Sequence, residues 1–242
     1  MGIFCKQSLA ATGILNGFTD WHSHILPGVD DGVKSVVEAL AVLRVYEGYG
    51  IKEVWLTPHI MEDVPNTTSA LRARFDELCA AYSAARGAEA AAGAGEVTLH
   101  LAAENMVDNL FLQRLEEGDL LPLGDSLRVE TSYYNPPMDL YEIVERIKAK
   151  GYYPVLAHPE RYFYMGDSDY TRLRETGVRF QLNVLSLAGA YGTGPRGRAL
   201  PLLKENAYSL VGTDLHNLGW WQDKIAKRTI PRFAANALRR IV

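Results

Sequence analysis

Cysteine is scarce in this sequence: its 242 residues include only Cys5 and Cys79. Two thiols cannot build a disulfide framework, so a reduced, cytoplasmic setting is expected. A long apolar run is missing too, and no uninterrupted stretch approaches the ~20 residues that cross a bilayer. Residues 1–18 are mildly apolar, but Lys6, Gln7, Thr12, Gly13 and Asn16 interrupt them. A secretory leader needs a continuous apolar core of roughly 7–15 residues, which this segment lacks. Residues 1–16 are therefore expected to be a surface extension ahead of one domain over 17–242. Positive charge is not in excess either, with 25 Lys+Arg against 29 Asp+Glu and a formal net charge of −4. A chain that holds nucleic acid by its phosphates should be basic, so that class is excluded. There is no internal repeat, and the apolar share of 48% excludes a disordered chain.

What is present is an alternation of strand-like and helix-like segments. Apolar runs at 17–21, 53–57, 97–103, 127–131, 152–157, 178–184 and 207–213 read as strands. Between them, Val36, Leu40 and Leu43 share one helical face, and Leu110, Leu112 and Leu115 follow the polar Asp108. Leu140, Ile143, Val144 and Ile147 make a third face, with Gly151 as its C-terminal stop. An Ala- and Gly-rich stretch begins near residue 80. It continues a helical pattern set by Leu71, Phe75, Leu78 and Tyr82, and 91–95 reads as helix end and loop. The tail 229–242 reads as a helix with Phe233, Ala237 and Ile241 on one face. Strands alternating with helices imply a parallel sheet. Seven strands are too few for the eight-stranded barrel and suit a seven-stranded relative or an open sheet.

Five of the six histidines sit at or just after a strand end: His22, His24, His59, His158 and His216. Glu104, Glu130 and Asp214 do the same, and the loop after the first strand returns Asp31 towards the His22-x-His24 pair. In parallel α/β folds the strand C-termini gather on one face, where active sites form. His and carboxylate together are ligands for Zn, Mn or Fe. An HxH pair on an extended segment puts both imidazoles on one side, and Asp214-x-His216 repeats that geometry. A lone histidine at a strand end is ordinarily just a polar residue at the edge of the core. His100, mid-strand and without a partner motif, is assigned no role. Nine convergent ligands, however, are too many for one ion and suit two or three.

The run Asp20-Trp-His-Ser-His-Ile-Leu-Pro-Gly-Val-Asp-Asp-Gly32 resembles the opening motif of the PHP (polymerase and histidinol phosphatase) superfamily. More narrowly, it is similar to that of the bacterial capsule- and exopolysaccharide-type tyrosine-protein phosphatases. Thr57-Pro-His59, Ala103-Glu104, Val129-Glu130, Ala157-His-Pro-Glu-Arg-Tyr162, Asn183-Val-Leu-Ser186 and Gly212-Thr-Asp-Leu-His216 agree in the same order. The resemblance implies an α/β fold, a distorted seven-stranded (β/α)7 TIM-like barrel with three divalent ions at the strand C-terminal face. It places His22, His24, Glu104 and Asp214 on a first ion. Glu104 bridges to a second, with Glu130 and His158, and Asp31, His59 and His216 take a third. The carboxylates at Glu130 and Asp31 match the tyrosine phosphatase branch and favour Mn²⁺, with Fe or Zn as alternatives.

Three divalent ions against four carboxylates leave the site at about +2, suited to a phosphate dianion. The implied reaction uses a metal-activated water and no cysteine nucleophile. Arg161, Glu104 and Asp214 are the expected catalytic residues, with the planar fork of Arg161 as the phosphate clamp. The alternative for Arg161 is a structural salt bridge. The implied partner is a phosphotyrosine protein, the Tyr-rich tail of a bacterial tyrosine kinase.

One departure stands out. The phosphatase branch often carries a second Arg shortly after the final His, where this chain has Trp220 and Trp221. Lys224 or Arg228 are candidates to replace it, as is an aromatic wall facing the substrate ring. Otherwise both Trp are core or interface residues. Tyr133, Tyr134, Tyr152, Tyr153, Tyr162 and Tyr164 are candidates to line an aromatic pocket, although barrel walls use Tyr equally well. Three further functions compete. One is a PHP phosphoesterase acting on histidinol phosphate or nucleotides. Another is an amidohydrolase-type barrel, which lacks the late Asp-x-His pair. The last is a metal-stabilised partner that only regulates the kinase.

Overall fold

The computed structural model describes residues 6–89 and 95–241. Along the chain run β1 (Lys6–Ser8), β2 (Thr19–Ser23), α1 (Val36–Tyr49), β3 (Glu53–Leu56), β4 (His59–Ile60), α2 (Thr68–Glu89) and β5 (Thr98–Leu101). There follow β6 (Glu104–Met106), α3 (Asn109–Glu117), β7 (Ser126–Glu130), α4 (Leu140–Ala149), β8 (Tyr153–Ala157), α5 (Asp167–Glu175) and β9 (Arg179–Asn183). The chain continues with α6 (Val184–Leu187), α7 (Thr193–Lys204), β10 (Tyr208–Gly212), α8 (Leu218–Lys227), β11 (Thr229–Pro231) and α9 (Arg232–Leu238).

All seven expected strands form, but the second and third are each broken in two. β3 and β4 flank Thr57-Pro58, and β5 and β6 flank Ala102-Ala103. Pro58 has no N–H to give to a ladder, and its carbonyl instead accepts the Glu104 N–H at 3.1 Å. The Ala103 N–H turns away to the Leu121 carbonyl at 3.1 Å. The first halves join β2 in a three-stranded sheet, β2-β3-β5, and the second halves join a six-stranded sheet, β10-β9-β8-β7-β6-β4. Every pairing in both sheets is parallel. β10 and β2 meet where Asp214 N–H donates to the His22 carbonyl at 2.8 Å and His24 N–H to the Leu215 carbonyl at 3.0 Å.

The helices pack apolar faces on these sheets. α1 buries Ala39, Val42, Leu43 and Tyr46, one step round from the expected face, so Val36 and Leu40 lie at its margin. The Asp108 side chain caps α3 by accepting the Phe111 N–H at 2.8 Å, and Phe111 and Leu115 are buried. α4 buries the four expected residues, and Gly151 follows it at φ 88°. That left-handed conformation suits glycine best. α2 buries Leu71, Leu78 and Tyr82; apart from Gly95, the loop expected over 91–95 lies outside the described residues.

Both ends of the described chain differ from expectation. Residues 6–16 are not a surface extension throughout: β1 pairs antiparallel with β11, and Leu9, Ile14 and Leu15 are buried. The short turn at Ala10–Thr12 gathers these apolar side chains on one side, while Gln7, Gly13 and Asn16 remain exposed. The tail is not one helix over 229–242, because its first residues pair as β11. That pairing delays and re-phases α9, which buries Ala234, Ala235 and Leu238 and leaves Phe233 45% exposed.

Candidate metal centre

The centre begins on β2, where strand alternation places Asp20 and His22 on the inner face. His22 Nδ1 lies 2.7 Å from Gln181 Oε1, and the Gln181 amide is oriented by its Nε2 donating to the Leu182 carbonyl at 2.7 Å. His24 Nδ1 lies 2.8 Å from Asp30 Oδ2. Both rings are thus anchored through Nδ1, and their Nε2 atoms approach to 3.1 Å. Two unshared lone pairs at that distance repel, so the arrangement favours a cation between them. Glu104 Oε2 lies 3.0 and 3.2 Å from these nitrogens, and Asp214 Oδ1 lies 3.5 and 3.4 Å from them. Partners on the far nitrogen are what fixes the tautomer of a metal-ligating histidine.

A second group shares Glu104. His59 Nδ1 lies 3.4 Å from Glu104 Oε2 and 3.2 Å from Glu130 Oε1, buried and without a hydrogen bond among the described residues. His158 Nε2 lies 3.2 Å from Glu104 Oε1 and 3.9 Å from Glu130 Oε2. The third group is more open: Asp31 Oδ1 lies 3.3 Å from His216 Nε2 and 3.5 Å from His59 Nε2, with the Asp31 side chain 72% exposed. Three sets have ligand atoms close enough to hold an ion: His22, His24, Glu104 and Asp214; His59, Glu104 and Glu130; and His24, Asp31, His59 and His216. Eight of the nine ligands expected from the sequence fall in these sets; His158 is in none of them, although its Nε2 lies beside Glu104. The partition differs in that His24 and His59 each serve two sets.

Two glycines make this approach possible. A Cβ at Gly212 would collide with His22 Cβ, and one at Gly32 with the His24 carbonyl oxygen. His158 and Asp214 adopt positive φ, 32° and 52°, a conformation uncommon outside glycine that clusters at functional sites. Electrostatics keep the key carboxylates ionised. Burial works against the charge of Glu104, yet His22, His158 and His24 hold it well below the usual carboxylate range. Burial likewise opposes the charge of Asp214, and His22, His24 and Arg161 hold it down. The donor set fits divalent cations: buried, ionised carboxylates and imidazoles with oriented nitrogens, bound with release of protons.

Seven of the nine candidate ligands, all but His22 and His24, line a cavity of about 430 Å³. The rest of the lining is Tyr133, Arg161, Tyr191, Asn217 and Trp220. Arg161 Nη1 donates to Asp214 Oδ2 at 2.6 Å, and its guanidinium carbon lies 4.7 Å from the Tyr133 ring centre and 4.5 Å from that of Tyr191. The structural salt bridge and a pocket-facing position thus coexist in Arg161.

Similarity to known proteins fits this geometry. The family model for capsular polysaccharide synthesis, CpsB/CapC, matches residues 18–230. The chain belongs to the CpsB/CapC family. It is 28% identical over 206 residues to the tyrosine-protein phosphatase YwqE of Bacillus subtilis, covering 82% of this chain and 77% of that one. It is 27% identical to the tyrosine-protein phosphatase CpsB of Streptococcus pneumoniae, covering 82% and 83%. A solved structure from work on YwqE and CpsB, described as unique metal-dependent tyrosine phosphatases, superposes with a TM-score of 0.75 at 26% identity. It covers 92% of this chain and 87% of that one.

Around the ligands of this CpsB/CapC chain stand residues that sequence reasoning missed. Asp30 is one of two adjacent aspartates, and nothing in the sequence says which faces the imidazole of His24. Gln181 and Tyr191 carry no motif. Asn183 belongs to the Asn183-Val-Leu-Ser186 motif with no role expected of it, yet its Nδ2 donates to Asp214 Oδ2 at 2.9 Å and to the Tyr191 hydroxyl at 3.1 Å. Below the ligands, Asp20 accepts hydrogen bonds from the His22 and Thr213 amides and the Tyr46 and Thr213 hydroxyls. Arg128 is fully buried, and its guanidinium has no hydrogen-bond partner among the described residues. Burial pushes it down to about 10, while the charges of Glu104, Asp20 and Asp214 act the other way.

Other candidates sort cleanly. Trp221 is a core residue against Tyr46 and Tyr49, whereas Trp220 lines the cavity. Lys224 and Arg228 are not among the lining residues. Of the six expected tyrosines, Tyr133 alone lines the cavity. Tyr162 is buried, Tyr164 bonds Thr131, and Tyr134 and Tyr153 are exposed. His100 stacks on Trp55 at 4.6 Å, away from the centre.

Proposed function

We propose that this chain is a metal-dependent protein-tyrosine phosphatase acting on the phosphorylated, Tyr-rich tail of a bacterial tyrosine kinase of capsule or exopolysaccharide synthesis. One observation carries the reading: three ligand sets sharing Glu104, His24 and His59 face Arg161 across a single cavity. Membership of the CpsB/CapC family supports it, as do the names of the relatives. We read the two sheets as one distorted seven-stranded barrel, the centre as holding three divalent ions, Mn²⁺ in the first instance, and the setting as the cytoplasm.

Bound there, divalent ions supply Lewis acidity and bring a water to its deprotonation range near neutral pH. The residues of the chain do the rest. His22, His24, Glu104 and Asp214 would hold the buried ion; His59 and Glu130 would complete the second with Glu104, with His158 beside it; and His24, Asp31, His59 and His216 would hold the third. Arg161 is fixed by Asp214 and clamped between Tyr133 and Tyr191, which orients its remaining N–H donors for phosphate oxygens. Clamping removes rotamer freedom before substrate arrives. Tyrosinate is a good leaving group, with a phenol pKa near ~10, so the site requires little acid assistance.

The test is phosphate release from a phosphotyrosine peptide by metal-stripped protein reloaded with Mn²⁺, with histidinol phosphate in parallel. Turnover of the peptide well above the small ester is expected. Preference for histidinol phosphate would assign the same centre to a metabolic phosphoesterase instead.

A further inference from the structure

Trp220 and Trp221 are adjacent yet do opposite things. Trp221 is fully buried and anchors α8 against Tyr46 and Tyr49 at ring distances of 5.6 and 5.9 Å. That anchor fixes the helix without help from its neighbour. Trp220 is 39% exposed and turned to the cavity. Its position is set from the backbone: Asn217 caps α8, its Oδ1 accepting the Trp220 N–H at 2.9 Å. Its ring lies 5.6 Å from that of Tyr191 at 44°. Tyr191 is held in turn, its hydroxyl bonded by Asn183 and its face against Arg161. Lys224, outside the lining, places its Nζ 5.6 Å from the Trp220 ring centre and is tied to Asp223 at 2.9 Å.

The cavity therefore has a graded wall: ligand carboxylates, then the Arg161 fork, then Tyr191, then a half-exposed indole at the mouth. We infer that Trp220, backed by Tyr191, forms an aromatic wall that holds the phenyl ring of an aryl phosphate while Arg161 and the metal centre hold its phosphate. The inference rests on the hydrolytic reading above and adds its specificity: aryl over alkyl phosphoesters. A phosphorylated tyrosine carries a flat ring directly on its phosphate, available to the aromatic side chains that share the cavity with Arg161. An alkyl phosphate offers no π-face there, and aromatic pairs gain beyond simple area burial.

Two measurements on the metal-loaded protein and on Trp220→Ala and Trp220→Phe test this. The first is the ratio of kcat/KM for p-nitrophenyl phosphate to that for glycerol 2-phosphate. Trp220→Ala should lower this ratio about tenfold, with metal content unchanged, and Trp220→Phe should restore most of it. The second is the Kd of phenylphosphonate against methylphosphonate by calorimetry, which needs no turnover; the preference for the phenyl compound should shrink by a similar factor in Trp220→Ala. An unchanged ratio and preference in Trp220→Ala would overturn the wall and leave the phosphatase standing. A parent protein that prefers phenylphosphonate but hydrolyses neither ester would leave the wall standing and overturn the hydrolytic reading.

Discussion

The two ends of the ligand cluster are built differently. At the closed end, His22, His24, Glu104 and Asp214 are at most 5% exposed, and the imidazoles are each pinned through Nδ1 by Gln181 or Asp30. At the open end, Asp31 is 72% exposed and the His216 side chain 30%. His216 is steadied by a 3.0 Å contact from Nδ1 to the Asp214 carbonyl and by stacking on the His24 ring at 3.9 Å, with no buried side chain pinning its far nitrogen among the described residues. A ligand set whose geometry is imposed by buried partners holds its ion before substrate arrives, whereas one reaching into solvent exchanges it readily. On the proposed reading, the closed end would keep its ion and the open end would exchange it more readily.

The most damaging change should be Glu104→Ala, since that carboxylate lies within 3.4 Å of His22, His24, His59 and His158. More than one ion per chain should be lost by elemental analysis, and hydrolysis should fall beyond the ~100-fold typical of losing an outer-sphere partner. Near-normal metal content would break the idea of a shared closed end. Next come Asp30→Ala and Gln181→Ala, expected to weaken metal affinity by roughly 10–100-fold in a chelator competition. Asp30 should cost more, because it also accepts the His59 and Gly32 amides at 3.1 and 2.9 Å. Arg161→Ala should raise the inhibition constant of free phosphate about tenfold, the worth of one charge-assisted hydrogen bond, with metal content intact. Unchanged phosphate inhibition would reduce Arg161 to a structural partner of Asp214. Asp31→Asn should be mildest, lowering occupancy of the open set alone by a few-fold on metal titration. A loss as large as that of Glu104→Ala would erase the distinction between the ends.

Eight of the nine candidate ligands were legible because each carries a recognisable type at or just after a strand end, and strand ends follow from apolar runs; Asp31 was legible from the loop that returns it towards His22 and His24. The partition among sets was not, because it depends on which ring nitrogen faces which carboxylate. That choice is made by Asp30 and Gln181, ordinary polar residues with no spacing signal. The strand break at Ala102-Ala103 was hidden inside an apolar run and that at Thr57-Pro58 at the end of one, since apolarity reports burial and not hydrogen-bond partner. The N-terminal segment misled for a related reason. Its polar interruptions argue against a leader, but Leu9, Ile14 and Leu15 still find the core through a tight turn and a strand pairing that no local pattern encodes. Nothing in the sequence tells the two Trp apart; α8, capped at Asn217, gives them their opposite faces.

Where β2 meets β10, Thr213 reaches Asp20 across 193 residues of chain. Such a contact is expected late in folding, because closing so large a loop costs entropy before other contacts offset it. His22 and His24 come from one side of that closure, and Asp214 and His216 from the other. The closed set therefore does not exist on a nascent or half-folded chain, and a cation captured there favours only the finished molecule. A metal bound there would therefore report assembly: a chain that has not brought β2 to β10 lacks the closed set.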